Sequence, residues 1–165
     1  MLTLREISDR LEIQDRIDLY CHALDDGQLD ELDQVFLPDA RLDFTCLGLD
    51  PMTWLQLKQR LRTGKAAPHE QHLYTNVHIA FDGDDTARTR SKVYNPQGIP
   101  GLDGKIHFCG NHGVYYDEWV RTAPGWRIRD RRWEHKFYSG DYPFDRPMPR
   151  AGWFEIIEQA EASRR

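Results

Sequence analysis

The sequence predicts an α+β domain, with N-terminal helices packed on one side of a curved antiparallel sheet. Three observations carry this. Apolar residues recur at helical spacing over residues 3–24. Four runs between residues 71 and 139 alternate or are rich in β-formers, with turn chemistry between them. The chain has 165 residues, which suits one domain able to bury roughly two thirds of its unfolded surface.

Taken in order, Thr3 and Glu6 have the spacing of a capping box, so a helix is expected over 3–24. Ile13, Ile17, Tyr20 and Leu24 share its apolar face, and Asp25-Asp26-Gly27 ends it. A short second helix is expected over Gln28 to Phe36, ended by Pro38, and a short strand over 40–47. Thr53 should cap a third helix carrying Trp54, Leu57 and Leu61, closed by Gly64. The strands then fall at 71–81, 85–95, 105–121 and 125–139. Asp82-Gly83-Asp84 and Ala123-Pro124-Gly125 are tight turns, and the Asn95–Gly101 stretch is a longer connection. Residues 1–139 form the domain. Residues 140–165 read as its tail or lid, too rich in proline for a central strand, with a helical piece at 151–162.

Composition narrows the function classes. Hydrophobic residues make up 39% and charged residues 30%, as in globular proteins. The net charge of -5 gives no basic face for nucleic acid. Arg127, Arg129, Arg131 and Arg132 read as one arginine row on a strand. Cys21, Cys46 and Cys109 form no CxxC pair, which argues against a disulfide framework or zinc ribbon. The N-terminus lacks the long apolar run of a signal peptide, and no segment approaches a membrane span, so a cytoplasmic protein is expected. Dinucleotide, P-loop and nucleophile-elbow motifs are missing.

The chemistry-bearing candidates begin with Tyr20, whose hydroxyl needs a partner on an apolar helix face, and Asp25 at the helix end. His72, Tyr74, Asn76 and His78 share one face of a regular strand. That row is either a solvent face or the lining of a polar pocket. His69 and His72 are three apart but lack a third ligand, so no metal is expected. His107, Cys109 and Asn111 share a parity and are either pocket wall or filler.

Three strings in order resemble the SnoaL-like domains of the nuclear-transport-factor-2-like superfamily. They are DLYCHALDDGQLDELDQVFLPDARLDF (18–44), QHLYTNVHIAFDGDDTARTRS (71–91) and GVYYDEWVRTAPGWRIRDRRW (113–133). The resemblance implies a cone-shaped sheet enclosing an apolar pocket. Characterised members such as scytalone dehydratase, bile-acid 7α-dehydratase and lindane dehydrochlorinase are cofactor-free lyases that eliminate water or HCl. By position, the resemblance makes Asp25 and His72 an Asp–His dyad, with Tyr20 as a third catalytic group. It places Asn76 and Arg131 on the substrate's polar end, although Arg129 and Arg132 lie close by. Asn95 stands where the bile-acid enzyme has an acid. Trp54, Phe36 and Phe44, with Leu57, are candidate pocket walls.

An imidazole with an ordinary pKa of about 6.5 suits proton transfer near neutrality, and a carboxylate on one ring nitrogen leaves the other as base. The expected function is therefore a cofactor-independent, dehydratase-like lyase acting on a small, ring-bearing apolar substrate. The rivals are an isomerase or polyketide cyclase, and a non-catalytic ligand-binding or dioxygenase small-subunit-like protein. No cofactor, nucleic acid or membrane partner is expected. The outer sheet face, with Trp119, Val120 and Trp133, suggests a homodimer or homotrimer.

Overall fold

The structure, a computed structural model, describes residues 1–63, 69–101 and 103–141. The expected helix end at Gly64, the tail or lid from Tyr142 onward and the helical piece at 151–162 lie outside the described residues.

Helix α1 spans Leu4–Asp25. The capping box forms as expected: Glu6 N donates to Thr3 Oγ1 at 3.1 Å, and Thr3 N donates to Glu6 Oε2 at 2.7 Å. Such a cap contributes about 1 kcal/mol. Gly27, at φ 72°, takes the left-handed turn that releases the chain. Ile13, Ile17, Tyr20 and Ala23 form the buried stripe. The second helix, α2, spans Trp54–Arg62 and carries its own capping box from Thr53 and Gln56.

The segment expected to be a short helix over 28–36 is only a 3-10 turn, Glu31–Gln34. Tertiary pairing overrides local propensity here. Phe36 already belongs to strand β1 (Phe36–Asp43) and pairs with Ile128, whose N–H donates to Val35 O at 2.7 Å. Asp33 instead accepts from Trp54 Nε1 at 2.9 Å and Lys58 Nζ at 2.7 Å, tying the turn to α2. The strand expected over 40–47 starts and stops earlier. Asp43 Oδ1 accepts from both Thr45 N and Thr45 Oγ1, and this local turn directs Thr45–Leu47 into a 3-10 turn.

Strands β2 (Met52–Thr53), β3 (His69–Glu70), β4 (Leu73–Phe81), β5 (Thr86–Pro100), β6 (Ile106–Thr122) and β7 (Gly125–Gly140) complete one sheet with β1. Its order is β2-β1-β7-β6-β5-β3, with β4 also on β5. β4 through β7 form the expected antiparallel meander, whereas β1 runs parallel to β7; the stretch expected to be a connection from Asn95 is instead strand, because β5 continues to Pro100 in register with Ile106–Asn111 of β6. The result is an α+β fold, a strongly curled mixed sheet closed by two helices over an apolar core. Among the described residues no helix is long and apolar enough to cross a membrane.

Two corrections concern side-chain direction. The pairing of β4 with β5 shifts between Thr75 and His78, and Asn76 sits there at φ 51°. The bulge breaks the even-numbered row: Tyr74 and Val77 pack on the core, while Asn76 and His78 are exposed. Trp119 and Trp133, expected on the outer face, are buried. The cross-strand row Leu73, Tyr94, His112 and Phe137 occupies that face instead, with His112 stacked between Tyr94 and Phe137 at 4.5 and 4.3 Å.

The end of β7 is held by His107. Its Nε2 lies 2.9 Å from Asp103 Oδ1 and its Nδ1 2.7 Å from Asp141 Oδ2. The bonds to Asp103 and then Asp141 raise the His107 pKa. The sign follows from the raised value: the clamp is complete below the ordinary histidine pKa of about 6.5 and is lost as pH rises through the higher folded value. In an NMR titration His107 should titrate above an ordinary histidine, and Asp103→Asn should bring it down. A His107 titrating at or below the ordinary value would contradict the clamp.

Candidate active site

α1, β1, α2 and the inner face of β5, β6 and β7 enclose a cavity of about 170 Å³. Its apolar wall includes Leu24, Leu32, Leu42, Leu57 and Val93. The expected wall residues Phe36, Phe44 and Trp54 all line it, with Phe36 stacked on Trp54 at 5.0 Å. Trp54 is locked by its bond to Asp33.

Asp25 closes α1 beside the start of β4. One carboxylate grips His72 twice: Oδ2 accepts from the His72 backbone N–H at 2.9 Å, and Oδ1 lies 2.6 Å from ring Nδ1. The His72 side chain is 10% exposed and lines the cavity; Asp25 stands behind it rather than in the lining. The double hold fixes the ring's position and makes Nδ1 the donor to the carboxylate, which leaves Nε2 as the lone-pair nitrogen.

Tyr20 meets His72 edge-on, with centroids 5.8 Å apart and planes at 78°. It also packs edge-on against Phe36, Tyr74 and Tyr115. Burial raises its pKa, against the lowering effect of the Arg131 charge. The phenol therefore stays neutral and can donate a hydrogen bond.

Of the arginine row, Arg127 and Arg131 are buried and Arg131 lines the cavity; Arg129 and Arg132 are exposed, and Arg129 bonds Glu118. Arg131 Nε and Nη2 grip Asp117 at 2.7 and 2.9 Å, with both side chains essentially inaccessible to solvent. Burial works against the charged form, but the Asp117 carboxylate outweighs it and the pKa is raised. The guanidinium lies over the rings of Tyr115 at 4.3 Å and Tyr20 at 4.4 Å. Nη1 is buried with no hydrogen-bond partner among the described residues.

Asn76 does not join the site; the β4 bulge turns it to the surface beside Arg90 and Lys92. Asn111, read from sequence as pocket wall or filler, and Asn95 both line the cavity, and the structure adds Glu70, Gln97, Tyr115 and Trp133. Asn95 Nδ2 donates to Gln71 O at 2.9 Å, which anchors the turn leading into His72. The shared parity of Asn111, Tyr115 and Asp117 on β6 is the signal that could have found Tyr115 and Asp117. Cys21 lies near this floor, but burial pushes its thiol up to about 12, so it stays protonated. Among the described residues no three metal-ligating side chains converge.

The SnoaL-like domain family matches residues 5–132. An uncharacterized protein of Mycobacterium tuberculosis is 40% identical over 140 residues, covering 84% of this chain and 92% of that protein. Solved structures share the fold, and two among them are informative. One, a scytalone dehydratase-like protein from Novosphingobium aromaticivorans, superposes with a TM-score of 0.75 at 20% identity, over 87% of this chain and 94% of that one. The other, a hexachlorocyclohexane dehydrochlorinase from Novosphingobium barchaimii, has a TM-score of 0.72 at 18% identity, over 87% and 99%. With its family match spanning most of the described residues, the chain belongs to the SnoaL-like domain family.

Proposed function

We propose that the protein is a cofactor-independent lyase of the dehydratase kind, with His72 as base, Asp25 as its orienting carboxylate and Tyr20 as hydrogen-bond donor. The observation that carries this is the double grip of Asp25 on His72 at the wall of an apolar cavity. Nε2 takes a proton from a carbon next to a carbonyl, and Asp25 stabilises the imidazolium as it forms. Charge moves onto the carbonyl oxygen, where Tyr20 and the unpartnered Arg131 Nη1 stabilise it. The C–O bond of the neighbouring carbon then breaks as C=C forms, and the proton on Nε2 leaves with the departing hydroxyl as water. This sequence requires neither metal nor organic cofactor. The dehydratase and dehydrochlorinase that share the fold are named for eliminations of this type.

Cavity size supports a small substrate. A dry cavity of about 150 Å³ is enough to bind benzene, so about 170 Å³ accommodates a single substituted ring. Incubation with cyclic β-hydroxy ketones, beginning with 3-hydroxycyclohexanone, should give the conjugated enone and water. An isomeric product would favour an isomerase, and absence of any product across the series would contradict catalysis.

The same reading extends to assembly. We infer a homodimer or homotrimer through the outer sheet face, where Tyr94 and Phe137 of the cross-strand row are 38% and 55% exposed. Light scattering at micromolar concentration should give a multiple of the 19.4 kDa chain mass, and a monomer would contradict it.

A further inference from the structure

Two unpartnered polar atoms of the cavity wall are not used by the reaction. Trp133 and Asn111 both line the cavity and are both more than nine-tenths buried. Trp133 Nε1 and Asn111 Oδ1 are buried with no hydrogen-bond partner among the described residues. Leaving such groups unpaired costs on the order of 1–3 kcal/mol each, so a wall that carries two is suited to a ligand that pairs them.

Their orientation is set by neighbours. Asn111 Nδ2 donates to Gln97 Oε1 at 3.0 Å, which leaves the amide oxygen as acceptor. The tip of the Trp133 ring lies over Gly113. A Cβ at Gly113 would stand 2.4 Å from both Cη2 and Cζ2, so only glycine lets the indole lie flat there. Gly113 is two residues from Asn111 on the same face of β6, roughly 7 Å along the strand. Trp133 and Asn111 therefore share one wall of the cavity, with the indole reaching along β6 in the direction of Asn111. Arg131 follows along the same wall, two residues from Trp133 on β7, with its guanidinium over Tyr115, four residues beyond Asn111 on β6.

A hydroxyl group answers this pair, because it donates through hydrogen and accepts through oxygen. We propose that Asn111 and Trp133 form a hydroxyl-recognition site. The substrate is then a single ring with a carbonyl oxygen directed at Arg131 and a hydroxyl directed at Asn111 and Trp133. This rests on the lyase reading for the direction of the carbonyl, but not for the hydroxyl contact itself.

The test is binding of 4-hydroxyacetophenone and 4-methoxyacetophenone, measured by calorimetry. Neither compound carries a leaving group for elimination. The wild-type protein should prefer the hydroxy compound by about ten-fold or more, since a site built to bond a hydroxyl rejects an analogue without its proton. Asn111→Leu and Trp133→Phe should each reduce that preference below about three-fold while still binding the methoxy compound. The hydroxy compound should shift the Trp133 indole N–H resonance. His72→Ala should keep the full preference, so failure of catalysis and failure of this site are read separately. Equal affinity for the two compounds, no binding of 4-hydroxyacetophenone at millimolar concentration, or an undiminished preference in either wall variant would overturn the proposal.

Discussion

His72→Ala should lower kcat/KM for water loss from a cyclic β-hydroxy ketone by about 10²–10⁴-fold, the range for a positioned general base. Asp25→Asn should cost a similar factor for a different reason. An asparagine can still accept from the His72 backbone N–H, but its amide then turns an N–H toward Nδ1. That reverses the tautomer and puts the proton on Nε2, where the base is needed. The double variant should lose little more than either single one, because the two residues act as one unit. The measurement is a kinetic double-mutant cycle, with circular dichroism confirming the fold. Losses that multiply would contradict the dyad. Tyr20→Phe removes one donor of two to the developing charge and should cost less than His72→Ala.

The second large effect is on stability. Asp117 and Arg131 form a bidentate ion pair with no solvent access, and Asp117 is further tied through Thr89 to the Trp119 indole. Removing one member of such a pair leaves a buried charge uncompensated and costs about 3–5 kcal/mol. Asp117→Ala should therefore lower the thermal midpoint by roughly 10 °C or more for a domain of this size. Replacing both, as Asp117→Leu with Arg131→Met, should recover much of that loss while removing the Nη1 donor from the cavity. Thermal denaturation decides this. An Asp117→Ala protein as stable as wild type would show that the pair contributes nothing.

The elements legible in the sequence are those with local signals. The Thr3–Glu6 capping box, the Thr53 N-cap, the apolar face of α1 and the Asp-Gly turn before β5 are encoded within a few residues, and the structure places them as expected. The approach of Asp25 to His72 could be anticipated only through the family resemblance, since 47 residues separate them. What local patterning missed depends on distant partners. Val35 and Phe36 are drawn into a strand by Ile128, whose pairing no window around residue 36 contains. Asn76 follows a regular alternation on paper, and one bulge moves it from pocket to surface. Trp119 and Trp133 looked like an oily outer face because the sense of the sheet's curl, which decides inside from outside, is a property of seven strands together.

The most direct test of the central claim is solvent deuterium entry into 3-hydroxycyclohexanone. In D2O the wild-type protein should catalyse exchange at the carbon between the carbonyl and the hydroxyl-bearing carbon. His72→Ala should reduce both exchange and enone formation to the buffer rate. Enone formed by the wild-type protein with exchange and elimination both undiminished in His72→Ala would show that another group takes the proton, and would contradict the account.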